Sequence, residues 1–168
     1  MRLSDHFDSS EFTCKCSKHC TANPDKELIN KLEKLFKQLD AKSVIITSGY
    51  RCPEHSINVG GTVNDAHTRN IAADIIANKK DGCYFTSAEI AEAAEIVGFT
   101  GIGIISPTAV HVDVRNKNNY VNDHWFGDET TGDNFIKTFI REPKAQKKQI
   151  SITIDIGDHK YSGLIEEE

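Results

Sequence analysis

Apolar residues recur at helical spacing after Asn23 and Pro24. Because they lie three and four positions apart, their side chains share one face of a helix, which should pack against a core. An asparagine followed by a proline is typical of an N-cap and a first helical position, so we expect a helix to begin there and end near Asp40. The apolar stripe consists of Leu28, Ile29, Leu32, Leu35, Phe36 and Leu39.

Two more helices are predicted farther along the chain. Thr86 and Glu89 have the spacing of a capping box, and Gly98 is a stop signal after Val97, so we expect a helix between them. We also predict that residues 135–140 form a short helix that closes the domain.

Short apolar runs predict four strands, at residues 44–47, 72–77, 101–105 and 110–114. The last two runs are joined through Pro107, which predicts a hairpin. Two polar stretches are interpreted as loops, namely residues 52–70 and residues 116–133.

The two ends of the chain differ from this central part. Residues 1–22 look irregular, and their apolar side chains should pin this arm to the core. We predict one domain over residues 1–140, a linker over 141–149 and an appended β-hairpin over 150–168, where polar and apolar residues alternate. An exposed terminal hairpin offers an edge for self-association.

Composition narrows the classes of function. A chain of 168 residues can bury the core of one compact domain. Its formal net charge of −5 and the absence of a basic stripe argue against a nucleic-acid partner. No apolar run reaches the roughly 20 residues of a membrane span, and no secretory signal follows Met1, so we expect synthesis in the cytoplasm.

Three side chains of chemical interest share one face of the fourth predicted strand. Residues alternate across a strand, so the valines of this segment face the core while His111, Asp113 and Arg115 face the other way. A half-exposed strand with a polar outer face explains the same pattern without any chemistry.

Asp74 lies in the middle of the apolar run at residues 72–77. A carboxylate buried there must be paired or bound to a metal, because a lone buried charge costs several kcal/mol. A salt bridge to Arg51 or Arg69 is the simpler alternative. Together with His67 and His111, however, Asp74 completes two imidazoles and one carboxylate, the ligand composition of a catalytic zinc site with a fourth position for water.

The arrangement of these motifs resembles the zinc D-Ala-D-Ala carboxypeptidases and related cell-wall peptidases, which share their core with the signalling domain of hedgehog proteins. Residues 48–51 read Ser-Gly-Tyr-Arg, residues 65–74 read Asp-Ala-His-Thr-Arg-Asn-Ile-Ala-Ala-Asp, and residues 111–113 read His-Val-Asp. The loop at residues 58–61 and the opening at residues 3–12 also look like the family, so the resemblance extends over residues 1 to about 140. It implies an α+β single domain whose central, mostly antiparallel sheet is flanked by helices.

The chain departs from the family pattern at three positions. Asp65 stands where relatives often have serine, and Asn70 stands where they usually have glycine, although asparagine tolerates a left-handed backbone. Many relatives carry an acidic general base three residues before the second histidine, and here that residue is Thr108. We assign the base to Asp113, which shares a face with His111; the competing candidates are Glu54, His55 and His124.

The resemblance implies a zinc metallopeptidase that cuts peptidoglycan peptides. His67, Asp74 and His111 would hold the ion, and Arg51 would bind a substrate carboxylate or the negative charge of the intermediate. The residues assigned to substrate binding are Arg51, Tyr50, Arg115, His124 and Trp125. Without a visible signal peptide, a phage endolysin released by a holin fits best. The alternative is a zinc-bound module without activity, which binds the cell wall or serves a structural role.

Cysteines crowd the N-terminal arm at Cys14, Cys16 and Cys20, close to His19. A second, structural zinc there, completed by Cys52 or His19, is one interpretation. The spacing C-x-C-x₃-C lacks the usual C-x₂-C form, which favours unpaired thiols or one disulfide over zinc.

Overall fold

The protein is described here by a computed structural model. The described backbone comprises residues 1–115, 124–141, 149–156 and 159–166, and side chains are described for 1–115 and 124–141. A five-stranded mixed sheet forms its centre, in the order β1-β2-β4-β3-β5. These strands are β1 (Ser43–Ser48), β2 (Ala72–Asn78), β3 (Gly101–Ile104), β4 (Val110–Asp113) and β5 (Trp125–Asp128). The α-helices are α1 (Lys26–Gln38), α2 (Pro53–Asn58) and α3 (Ser87–Ile96), preceded by a single 3-10 turn at Ser9–Phe12.

The sheet is antiparallel except at one edge. Strand β2 pairs with β1 and β4, and β3 pairs with β4, all in antiparallel register. Strand β5 runs parallel to β3. The α+β class and the mostly antiparallel sheet are therefore confirmed.

One hydrophobic core joins the helices to the sheet. Helix α1 contributes three fully buried leucines, and α3 packs against β3 and β4. The three valines of the β4 segment are also fully buried, as the alternation predicted. The leucines are Leu28, Leu32 and Leu35, and the valines are Val110, Val112 and Val114.

The helix boundaries differ from the sequence predictions at three places. Helix α1 begins two residues later than expected, because the side chain of Asp25 accepts a hydrogen bond from the Glu27 amide at 2.7 Å and caps it. The predicted loop at residues 52–70 contains α2. Residues 135–140 are not helical, since the amides of Phe139 and Ile140 donate to the carboxylate of Glu95 instead of to carbonyls four residues earlier.

Strand β5 lies where a polar loop was predicted. The amide of Trp125 donates to the Thr100 carbonyl at 2.8 Å, and the ladder continues along β3. These hydrogen bonds come from an edge more than twenty residues away in sequence, so no local pattern reveals the strand.

The N-terminal arm is anchored in the core next to β1. Phe7 and Phe12 are buried, and the Phe12 carbonyl accepts from the Tyr50 amide at 2.9 Å. Gly49 allows this close approach, since a Cβ there would lie 2.5 Å from the Cα of Phe12. The arm is thereby attached to the segment that follows β1.

Two strands, β6 (Gln149–Ile156) and β7 (His159–Glu166), pair antiparallel as a separate two-stranded sheet. The expected turn at Gly157 and Asp158, and most of the expected linker, lie outside the described residues. The division into domain, linker and tail therefore stays a prediction. Among the described helices, none combines the length and apolarity needed to cross a bilayer.

Candidate metal centre and active site

Three predicted ligands converge on one point above the sheet. Asp74 on β2 is the direct cross-strand neighbour of His111 on β4, so the antiparallel register alone brings them together. Asp74 Oδ1 lies 3.0 Å from His111 Nδ1 and 3.2 Å from His67 Nε2. The two imidazole nitrogens are 3.1 Å apart.

A compact turn between α2 and β2 brings His67 to this position. The carboxylate of Asp65 accepts hydrogen bonds from the hydroxyl of Ser56 and from the amide of Thr68, the latter at 2.9 Å. Asn70 ends the turn at φ 63°, and the next amide, that of Ile71, donates to the Ala66 carbonyl at 3.1 Å. Asparagine therefore adopts the left-handed conformation for which relatives use glycine.

The hydrogen bonds of His67 fix its tautomer. Its Nδ1 lies 2.7 Å from the carbonyl oxygen of Gly49. A carbonyl can only accept, so Nδ1 carries the proton and Nε2 presents a lone pair towards Asp74 and His111. Because the His67 ring is buried, this orientation is held firmly.

His111 is supported from behind by a buried carboxylate. Its Nε2 lies 3.1 Å from Asp113 Oδ2, while Asp113 has no solvent exposure. Arg115 binds the same carboxylate through Nε, at 3.0 and 3.1 Å to its two oxygens. Asp113 thus orients the His111 ring, in the way that carboxylates orient histidines at metal sites.

Burial and hydrogen bonding shift the pKa values of Asp74 and His111 in opposite directions. Burial alone would raise the pKa of Asp74, but hydrogen bonds with His111 and His67 hold it well below its usual range. Burial likewise opposes the charge of His111, yet its bonds to Asp113 and Asp74 raise the pKa of this imidazole to about 9. The protonated ring stands between two carboxylates.

The donor set fits a small divalent cation. One ligand atom each from His67, Asp74 and His111 lies within 4.8 Å of the others. Tetrahedral zinc with bonds of about 2.1 Å separates its nitrogen and oxygen ligands by about 3.4 Å, close to the distances found here. Two neutral imidazoles and one carboxylate leave a fourth position open.

An open cavity of about 500 Å³ lies above these ligands. Among the residues predicted to bind substrate, Arg51, Arg115 and Trp125 line it. The guanidinium of Arg51 pairs with Asp74 Oδ2 and also donates to Ser48 Oγ at 2.9 Å, so the simpler expectation of an Arg51–Asp74 ion pair is met.

Several predicted residues lie elsewhere. In the described part of the chain, Tyr50, Asp113 and His124 do not line the cavity. Glu54 and His55 line a different depression, next to Lys18. The exposed ring of His124 packs on Phe126, with centroids 4.0 Å apart.

Glu129 lines the cavity and was missed by the sequence analysis. It follows β5, and its amide donates to the Ile104 carbonyl at 2.9 Å, which extends the ladder with β3. The position of Glu129 depends on the pairing of two distant strands, so no sequence signal could have identified it.

Trp125 forms one wall of the cavity. Its ring lies 5.1 Å from the guanidinium carbon of Arg115 and 6.2 Å from the ring of His111. Gly103 makes room for it, since a Cβ there would lie 2.8 Å from the indole. The cavity therefore presents an aromatic face beside a cation.

Comparison with known proteins agrees with this geometry. A family model described as Peptidase M15 matches residues 5–113, more than half of the chain, and this range includes His67, Asp74 and His111. A search of curated proteins found no match. The chain therefore belongs to the Peptidase M15 family, the zinc-dependent D-Ala-D-Ala carboxypeptidase-like peptidases that its sequence motifs resemble.

Proposed function

We propose that this protein is a zinc-dependent peptidase that hydrolyses peptide bonds in the stem peptides or cross-links of peptidoglycan. The observation that carries the proposal is the convergence of His67, Asp74 and His111 beneath an open cavity. Family membership supports peptidase chemistry, and the cell-wall substrate rests on the motif resemblance.

His67, Asp74 and His111 would hold the zinc ion. Zinc bound there would supply an activated water and polarise the scissile carbonyl. The Gly49 carbonyl orients the His67 ring through Nδ1, so that Nε2 faces Asp74 and His111, and Asp113 orients His111 through Nε2. Both supports act on the protein before substrate arrives, so the ligands are already oriented.

Arg51 is the group best placed to bind a negative charge on the substrate. Its guanidinium lies at the cavity wall beside Asp74. A guanidinium binds carboxylates and oxyanions through two parallel donors, so Arg51 would bind either a terminal carboxylate or the charge developing on the scissile carbonyl. Arg115 also lines the cavity and is also bonded to a carboxylate, that of Asp113, but its side chain is less exposed than that of Arg51, 12% against 19%.

The general base has two candidates. Asp113 was predicted from its position beside His111, but its carboxylate has no solvent exposure and is bonded to both His111 and Arg115. Glu129 is exposed and lines the cavity. A base must reach the water whose proton it takes, so access favours Glu129 for this step and a positioning role for Asp113.

The test is digestion of purified peptidoglycan, followed by mass spectrometry of the released fragments. Loss of a terminal D-Ala identifies a carboxypeptidase, whereas shortened cross-links or a freed stem peptide identify an endopeptidase. We expect a chelator to abolish cleavage, zinc to restore it, and His67→Ala to remove both zinc and activity. Wild-type activity in the His67→Ala protein would contradict the ligand assignment.

A module that binds zinc and cell wall without cutting is the second candidate. Thr108 at the position where many relatives have an acid, together with the buried Asp113, favours it. Glu129 at the cavity argues against it. Zinc-loaded protein that binds peptidoglycan and releases no fragment would decide for the module. We also propose that the protein is a phage endolysin, which a holin would release from the cytoplasm to reach the cell wall.

A further inference from the structure

Four of the five cysteines meet on the side of the molecule where the N-terminal arm contacts the segment after β1. Cys14 Sγ lies 3.9 Å from Cys52 Sγ, and Cys16 Sγ lies 3.7 Å from Cys20 Sγ. The sulfurs of Cys14, Cys16 and Cys52 are all within 4.8 Å of one another, and Cys20 joins this group through its contact with Cys16. Cys83 is exposed and belongs to no such cluster among the described residues.

The sulfur separations match metal coordination. Zinc–sulfur bonds of about 2.3 Å at tetrahedral angles place neighbouring sulfurs about 3.8 Å apart. The distances of 3.9 and 3.7 Å agree with this value. A disulfide requires about 2.05 Å, so neither pair is bonded.

The backbone around the cysteines forms a closed loop. The Cys14 amide donates to the Cys20 carbonyl at 2.9 Å and closes the loop, while the His19 amide donates to the Cys16 carbonyl at 3.0 Å. His19 takes the left-handed conformation, with φ 46°. This local strain is the kind that persists where the surroundings fix the chain, and here it turns Cys20 back towards Cys16.

Amide protons point at the sulfurs. The Cys52 amide donates to Cys14 Sγ at 3.3 Å. Amides directed at sulfur stabilise thiolates, the form that binds metal.

We propose that Cys14, Cys16, Cys20 and Cys52 bind a structural zinc ion at a second site, separate from the one formed by His67, Asp74 and His111. Four protein sulfurs leave no position for water, which is typical of a structural rather than a catalytic ion. The spacing C-x-C-x₃-C disfavoured zinc here because it lacks the usual C-x₂-C form, although Cys52, 32 residues beyond Cys20, was one of the two residues expected to complete such a site.

The ion would fasten the arm to the segment that carries part of the active site. Cys52 directly follows Arg51, and Gly49, three residues before it, accepts the hydrogen bond from His67. The Phe12 carbonyl already binds the Tyr50 amide nearby. Fixing Cys52 to Cys14 therefore holds both the Arg51 backbone and the carbonyl that orients a ligand of the other site.

Elemental analysis of reduced, zinc-loaded protein tests the proposal. We expect two zinc ions per chain in the wild type, one in Cys52→Ser, one in His67→Ala, and two in the control Cys83→Ser. Cys52→His should restore the second ion, since imidazole also binds zinc. Each variant removes the ion of one site only, so zinc content reports on the cysteine site even if the protein proves to have no peptidase activity.

Cobalt substitution of the wild type gives a second readout that needs no cysteine variant. We expect thiolate-to-cobalt charge-transfer absorption that persists in His67→Ala and is absent from Cys52→Ser. If Cys52→Ser does not fold, two measurements on the wild type still test the proposal. The cobalt protein should show the charge-transfer absorption, and Cys14, Cys16, Cys20 and Cys52 should resist alkylation until a chelator is added. Two disulfides by mass, or four freely alkylated thiols in zinc-loaded protein, would overturn the proposal.

Discussion

Asp113 and Glu129 differ in access to the cavity, and that difference separates their roles. Exchanging Glu129 for Gln should lower kcat by about 10²–10⁴, because a positioned base contributes about that much, while zinc stays bound. Exchanging Asp113 for Asn should instead weaken zinc binding by about 10–100-fold, because a support of a ligand is lost. Kinetics at saturating zinc, alongside zinc titrations, measure both effects.

The opposite effects of the two variants would identify Asp113 as the general base. In that case Asp113→Asn would stay inactive with zinc fully bound, and Glu129→Gln would cut peptide at the wild-type rate. Both variants are close in size to the parent residue, but Asp113→Asn removes a buried negative charge that pairs with Arg115 and His111. Circular dichroism and the melting temperature of each variant therefore accompany the comparison.

His111 carries a proton in the metal-free protein at neutral pH, because its bonds to two carboxylates raise its pKa to about 9. Zinc must displace this proton, so binding should release about one proton per ion near neutral pH and fewer as the pH rises past 9. Apparent zinc affinity should accordingly increase with pH up to that value.

Calorimetry in two buffers of different ionisation enthalpy measures the released proton. The His67→Ala protein keeps only the proposed cysteine site, so subtracting its signal isolates the site of His111. Zinc binding without proton release at neutral pH would contradict the raised pKa of His111.

At the scale of the element, the turn that carries His67 depends on the left-handed residue Asn70. The side-chain oxygen of Asn70 is buried and, within the described part of the structure, has no hydrogen-bond partner. Glycine would remove both the backbone cost and this unpaired oxygen.

We therefore expect the Asn70→Gly protein to be at least as stable as the parent. Asn70→Ala should be less stable than Asn70→Gly by about 1–2 kcal/mol, the cost of a Cβ in this conformation. Urea unfolding of the two variants checks the order. Equal stability of the two variants would show that the turn does not need the left-handed backbone.

The segment at residues 135–140 shows how side chains can compete with helix formation. The carboxylate of Glu95 on α3 accepts from Phe139 and Ile140, and Glu92 accepts from the Arg141 amide at 3.0 Å. These bonds satisfy the backbone without a helix, and they tie the end of the segment to α3.

At the scale of the whole molecule, every described residue that lines the cavity or could hold the metal precedes residue 130. Ending the chain after Arg141 should therefore leave zinc content, kcat and KM unchanged. Size-exclusion chromatography of the same protein tests whether the β6-β7 hairpin mediates self-association, which would show as a smaller species after truncation. Loss of zinc or of activity on truncation would mean that the tail contributes to the site.

Local patterns in the sequence were sufficient to predict most of the framework. The stripe of α1, the capping box of Thr86 and Glu89, and the alternation in β4 depend only on neighbours along the chain, and the structure contains all three. The types and order of His67, Asp74 and His111 likewise sufficed to predict a metal centre, because few other combinations of residues have that chemistry.

Only the tertiary structure decided what surrounds this centre. The parallel pairing of β5 with β3 brought Glu129 to the cavity, the packing behind His111 buried Asp113, and the arm brought Cys52 to the other cysteines. Each of these contacts joins segments that are remote in sequence or depends on which face of a strand is covered. Such contacts leave no periodic or local signal. The sequence alone therefore indicated which side chains are candidate ligands of a metal, and the fold determined which groups contact and orient them.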